Sequence, residues 1–254
     1  MTASVRLERE GAIAFVTLAN ADRLNAMSRA MWRELRAVFE QGLAQDAATR
    51  CVVVRGEGAA FCAGGDISEY PSFRFDEASL REFHENEVWG ALAAMLACEL
   101  PLVAQIEGAC MGAGLEIASC CDIRLAGASS KFGAPIAKLG FPMAPREAAL
   151  VRSAIGDALA RDMLLAAGVH DARRLYDAGF VLSVLPDAQV AAAALAHAQR
   201  ITALAPAAAR LNKRTLGAGT GDRLLASAYD YADSPEHREG IAAFLAKRTP
   251  VFRP

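Results

Sequence analysis

The sequence predicts an α/β fold, on three observations. Short β-branched or apolar runs recur as strands, and two of them lead straight into glycine-rich loops. The second of those loops opens a helical stretch and is followed by another strand. The chain, 254 residues at 54% hydrophobic and 22% charged, is long and apolar enough for one large domain with a sizeable core, alone or with an appendage. Strand, glycine-rich turn, helix and strand in succession is the order of an α/β architecture.

Val5, Leu7 and then the run 13–18 read as two strands about the turn at Glu10 and Gly11. Ser28 is placed to cap a helix whose apolar stripe is Met31, Leu35, Val38, Phe39 and Gly42. Cys51-Val-Val-Val-Arg55 is a short β-branched run, hence a buried strand, and a Gly/Ala-rich loop follows over 56–65. A polar stretch, 71–77, precedes a helix over about 78–98, which stops before Pro101. The cycle repeats with a strand at 102–106, a glycine-rich loop at 108–114, a short helix through Glu116 and a strand at 121–125. From about Pro186 the composition turns alanine-rich, and 188–201, 206–216, 222–233 and 235–247 read as four helices. Leu195, Ile201, Leu204, Leu211 and Leu224 are too many apolar positions for helices that pack on nothing. The division expected is therefore a core over 1–185 and a helical cap or oligomerisation region over 186–254.

Acids (29) and bases (27) nearly cancel to a net charge of −2, which argues against a basic-patch nucleic-acid binder. The longest apolar stretch, 101–121, is broken by Glu107 and Glu116, so no membrane span is expected. Charges within the first ten residues leave no secretory signal, and a soluble, cytoplasmic protein is expected. Six cysteines lie in apolar runs without a CxxC pair and read as buried reduced thiols. Four scattered histidines (84, 170, 197, 237) have no ligand spacing, so no metal is expected.

Two segments could carry chemistry: Ala60-Phe-Cys-Ala-Gly-Gly-Asp-Ile67, which follows a strand, and Ile106-Glu-Gly-Ala-Cys-Met-Gly-Ala-Gly-Leu-Glu-Ile117, which follows another and opens the short helix. Small residues let backbone approach a ligand closely, and a helix start presents unpaired N–H groups at its positive end. Two such loops side by side could aim two N–H donors at one oxygen, forming an oxyanion hole. A dinucleotide fingerprint is rejected, since Ile117 stands where the last glycine of GxGxxG belongs.

At this point the sequence resembles the crotonase superfamily, the enoyl-CoA hydratase/isomerase family. Five motifs match in order: Arg23-Leu-Asn-Ala-Met27, the loop 60–67, the block 111–126, Lys131-Phe-Gly-Ala-Pro135 and the terminal stretch 234–248. The resemblance implies a crotonase-like spiral of strand–strand–helix units with a C-terminal helical trimerisation region. It also implies an acyl thioester of coenzyme A as ligand, a homotrimer or dimer of trimers, and no cofactor beyond the coenzyme A carried by the substrate. Carried over by position, the backbone N–H groups of Gly65 and Ala113 would hold the thioester oxygen. One such donor is typically worth about 2.7–4 kcal/mol in the transition state. Arg23, Leu24, Ala26, Ala63, Asp66 and Ile67 would line the coenzyme, and Lys247 or Arg248 of a neighbouring subunit could meet its phosphates. Trp89, Leu92, Phe141 and Met143 are expected as walls of an apolar acyl pocket.

Glu116 falls on the first of the two glutamates with which the family's hydratases hold and split water, and desolvation would raise its pKa toward a working range. The second is expected just after Gly133-Ala-Pro135, where this chain has Ile136. An isoleucine moves no proton, so three chemistries stay open: hydration with another group helping Glu116, isomerisation by one base, or decarboxylation to the enolate. A non-catalytic acyl-CoA binder is the alternative of another class. Glu147, His84, Glu85 and Glu87 are the possible helpers, although each position reads more readily as surface or helix cap.

Overall fold

The computed structural model describes residues 3–44, 46–218 and 225–252. Strands β1 (Ser4–Glu10) and β2 (Ile13–Ala19) form the hairpin about Glu10 and Gly11. From β2 the sheet continues in parallel through β3 (Cys51–Gly56), β4 (Leu102–Ile106), β6 (Ile123–Gly127) and β9 (Ser183–Leu185), in the order β1-β2-β3-β4-β6-β9. A second, three-stranded sheet joins β5 (Ala109–Met111), β7 (Lys131–Gly133) and β8 (Val169–Asp171).

Strand residues alternate between two cores, as the pleat requires. Ala14, Val16, Leu18, Val52, Val54, Leu102 and Ala104 face the larger one. It is packed by α1 (Arg29–Ala37), α3 (Trp89–Ala97) and α4 (Ala113–Ser119). Ile13, Phe15, Cys51, Val53, Val103 and Leu125 face the other way, onto Val190, Ala194 and Ala198 of α8 (Val190–Thr202). The helical region after 186 thus begins by covering one face of the sheet, and its small alanine side chains allow that close approach.

Ser28 caps α1 as expected, its hydroxyl accepting from Met31 N. The helix expected over 78–98 is in three parts: α2 (Glu77–Glu82), a wide i→i+5 turn at Phe83–Val88, and α3. The strand expected at 121–125 lies two residues later, because Cys120 and Cys121 close α4 and Asp122 turns its carboxylate onto Leu102 N. The loop at 108–114 contains β5, paired with β7. After it come α5 (Pro145–Ile155), α6 (Asp157–Leu165) and α7 (Ala172–Asp177). Beyond α8 lie α9 (Pro206–Ala218) and α10 (Pro235–Leu245). The helix expected at 222–233 falls partly outside the described residues, and 225–233 run mainly as turns. All six cysteines are free; five are buried and Cys98 is half-buried. Burial pushes the Cys51, Cys62 and Cys121 thiols up to about 12, which leaves them unreactive. Among the described residues no helix is long and apolar enough to cross a membrane.

Candidate active site

The two glycine loops lie against each other. Cys62 and Cys110 form a parallel bridge, with Cys62 N donating to Ala109 O at 2.8 Å and Met111 N donating to Cys62 O at 2.9 Å. Gly64 (φ +119°) and Gly112 (φ +47°) hold backbone conformations that L side chains rarely adopt, and a Cβ on Gly112 would sit 3.6 Å from Gly64 Cα. Glycine at these two positions therefore permits the turns, and the close approach falls at Gly114, where a Cβ would sit 2.5 Å from Cys62 O.

The segment Arg23-Leu-Asn-Ala-Met27 braces the first loop. Asn25 is fully buried, and its amide donates to Ala60 O (2.7 Å) and Glu57 O (2.9 Å). Ala63 N donates to Leu24 O, Met27 N to Gly64 O and Asp66 N to Met27 O. With its neighbours committed in this way, Gly65 N–H finds no backbone acceptor among the described residues. Ala113 N–H, first in α4, has none either, as expected where a helix begins.

Beside these donors opens a cavity of about 310 Å³, lined by Ala63, Gly64, Gly65 and Ile67 from the first loop and Gly112, Ala113 and Glu116 from the second. Trp32, Tyr70, Phe83, Val88, Ile136, Leu139 and Phe141 make its walls apolar, and Lys138, His84 and Glu147 complete it. A larger groove of about 750 Å³ along α1 and α3 touches neither glycine loop.

Glu116 is 7% exposed and its carboxyl has no hydrogen-bond partner among the described residues. Burial pushes its pKa well above the usual carboxylate range, and the charge of Glu147 adds to the rise. Glu147, 3% exposed, stands in the first turn of α5, with Oε1 2.8 Å from His84 Nδ1.

Of the expected site residues, Gly65, Ala113, Glu116, Ala63, Ile67 and Ile136 meet in this cavity. Arg23, Leu24, Ala26 and Asp66 lie along its first loop, with Arg23 paired to Asp66 and Ser68. Lys247, exposed just after α10, is not among the cavity's lining residues. Of the four expected walls only Phe141 lines the cavity; Leu92 and Met143 are buried in the core, and Trp89 packs against that core. Glu87 holds Arg29 and Arg33, and Glu85 pairs with Arg146, so both have structural partners. Reading His84 and Glu147 as surface or cap residues is corrected: both are cavity residues, brought together from positions 63 apart. The available clues were a proline-opened helix carrying an acid in its first turn, downstream of a position that had lost one.

Two unpaired N–H groups beside a buried acid in an apolar cavity define a site suited to stabilising an oxyanion and moving a proton. The chain belongs to the enoyl-CoA hydratase/isomerase family, whose model matches residues 8–254. Among solved structures it is similar to an enoyl-CoA hydratase/carnitine racemase from Magnetospirillum magneticum. That match has a TM-score of 0.94 and 39% identity, covering 100% of this chain and 96% of that one. Among curated sequences it is 30% identical to a Mycobacterium bovis protein called probable enoyl-CoA hydratase, over 98% of this chain and 97% of that one. It is also 30% identical to the 2,3-dehydroadipyl-CoA hydratase of Escherichia coli, over 97% of each chain. The fold is that of the crotonase enzymes, and the family is enzymatic.

Proposed function

We propose that this chain is a cytoplasmic enzyme that forms and quenches the enolate of an acyl-CoA thioester, most simply as an enoyl-CoA hydratase. The observation that carries the reading is Glu116: a carboxyl 7% exposed, without a hydrogen-bond partner among the described residues, in a cavity it shares with Gly65 and Ala113. Keeping an acid desolvated costs stability, which a purely binding cavity would have no reason to sustain.

In this reading the N–H groups of Gly65 and Ala113 hold the thioester oxygen as its charge grows, and Glu116 is the acid/base at the α carbon. Arg23, Leu24, Ala26, Ala63, Asp66 and Ile67 line the coenzyme, and Ile136 closes the acyl side. The chemistry draws on no cofactor beyond the coenzyme A of the substrate. The exposed apolar side chains of α10, Ile241, Phe244 and Leu245, support assembly into a trimer or dimer of trimers. Lys247 of one copy would then meet the phosphates bound by another.

Incubating the protein with crotonyl-CoA and with longer, 3-unsaturated and 2-carboxylated acyl-CoAs, followed by mass, tests the reading. Gain of one water on a 2-enoyl thioester is the expected result. A moved double bond or loss of carbon dioxide would reassign the reaction within the family, and binding without turnover would overturn it.

A further inference from the structure

Ile136 removes a carboxylate from the position where the resemblance expects one, yet two carboxyls line the cavity. Their surroundings differ. Glu116 faces apolar walls with no donor, whereas Glu147 Oε1 lies 2.8 Å from His84 Nδ1. On the far side of the ring, Arg74 Nη1 is 3.5 Å from His84 Nε2. A guanidinium can only donate, so this contact fits the tautomer in which Nε2 offers its lone pair and Nδ1–H donates to Glu147. Arg74 has no ion pair among the described residues; it is stacked at 3.6 Å from the Phe141 ring centroid and 4.5 Å from that of Tyr70. Both aromatic residues are cavity walls, so the packing of the acyl pocket also fixes the Arg74–His84–Glu147 chain.

We propose that Glu147 is the second catalytic carboxylate of this enzyme, delivered from the start of α5 in place of the glutamate missing at 136, with His84 and Arg74 as its positioning residues. The assignment rests on the hydratase reading above. Two carboxyls in unlike environments divide into acid and base: burial without a donor favours the proton on Glu116, and Glu147, held through Oε1 by His84 Nδ1, is the one placed to take a proton from water. Glu147 takes a proton from water as the water oxygen bonds to Cβ of the 2-enoyl thioester. The electron pair of the C=C bond moves through Cα to the thioester oxygen, held by Gly65 and Ala113 N–H. The enolate collapses as the Glu116 proton goes to Cα, which restores the carbonyl. The proton on Glu147 returns to Glu116 through solvent, so each turnover adds one water and leaves both carboxyls as they began.

The test compares two reactions of each variant: hydration of crotonyl-CoA, and exchange of the α protons of butyryl-CoA with deuterium oxide, which needs the N–H donors and Glu116 but no attacking water. Glu147→Gln is expected to lose 10²–10⁴-fold in hydration kcat while exchange falls less than tenfold. Glu116→Gln is expected to lose both. His84→Ala should lower hydration kcat with little change in KM, and His84→Asn, whose amide nitrogen can stand where Nδ1 stood, should restore most of it. If Glu147→Gln does not fold, Glu147→Asp and the His84 pair carry the same comparison. Hydration undiminished in the Glu147 variants overturns the assignment. So does a wild type that exchanges but does not hydrate, which leaves the enolate site standing. A wild type that does neither removes the hydratase reading and this assignment with it.

Discussion

The two segments that meet over the cavity begin alike and end differently. One starts at β5 and the other at β7, paired in parallel in the small sheet, with Gly112 N donating to Gly133 O where they leave it. The first turns at Gly112 directly into α4 and presents Ala113 N–H and, one turn on, Glu116. The second passes through the short 3₁₀ turn Pro135–Leu139, which offers Ile136, and then Phe141, before α5 brings Glu147 back. The first segment keeps the family's pattern and the second breaks it, yet both set a carboxyl in the same cavity. The site's chemistry follows from what faces the cavity, and a chain can supply that from more than one position.

The comparison breaks most sharply at Glu116. Glu116→Gln is expected to lower kcat by about 10²–10⁴-fold, the usual loss on removing a general acid/base. The check is turnover of whichever acyl-CoA the wild type accepts, and full turnover would leave the first segment with no chemical role beyond its backbone.

A somewhat smaller loss is expected from the backbone itself. Ala113→Pro removes one N–H at the first position of α4, where proline suits a helix and no backbone partner is lost. We expect about a 10²–10³-fold drop in kcat, the usual size for one oxyanion donor, with the circular dichroism spectrum kept. An unchanged kcat would mean that Ala113 N–H does not touch the developing charge.

The same comparison explains how much of the site was legible. Gly64, Gly65, Gly112 and Glu116 are brought to the cavity by local backbone geometry, and local geometry is written in neighbouring residues. The β1–β2 hairpin and the Ser28 cap were legible for the same reason. Glu147 and His84 reach the cavity only by convergence: the histidine, in the wide turn Phe83–Val88, meets a glutamate 63 residues on in the first turn of α5. The expected walls Trp89 and Leu92 pack in or against the core instead, because their spacing puts them on one face of α3 without saying what that face meets. The expected strand at 121–125 slid by two for a related reason, since α4 uses Cys120 and Cys121 to end.

Stability offers a sharper test of the desolvation of Glu116. Its folded pKa lies above its unfolded value, by burial first and the Glu147 charge second, so the native state binds more protons than the unfolded chain between the two. Stability should therefore fall as pH rises from about 4.3, the ordinary glutamate value, toward the raised one. Glu116→Gln carries no such cost, so its Tm should sit close to the wild type's at pH 4 and above it at pH 8. Parallel curves would mean the carboxyl is not desolvated in solution.

The smallest effect should come from restoring what the second segment lacks. Ile136→Glu puts a carboxyl where the family's pattern expects one, half-buried in the cavity wall and close to two acids already there. If Glu147 supplies the base, the new group adds nothing the site needs, and its negative charge raises the cost of ionising Glu116 further. Hydration of a short 2-enoyl-CoA should then change less than tenfold, and downward. A gain of orders of magnitude would mean that the second segment had lost its chemistry along with its glutamate, and that the first segment alone runs whatever reaction the wild type performs. Combining the two changes separates these cases: in an Ile136→Glu background, Glu147→Gln should still abolish hydration if α5 positions the water. Indifference to that second change would place the water at 136 instead.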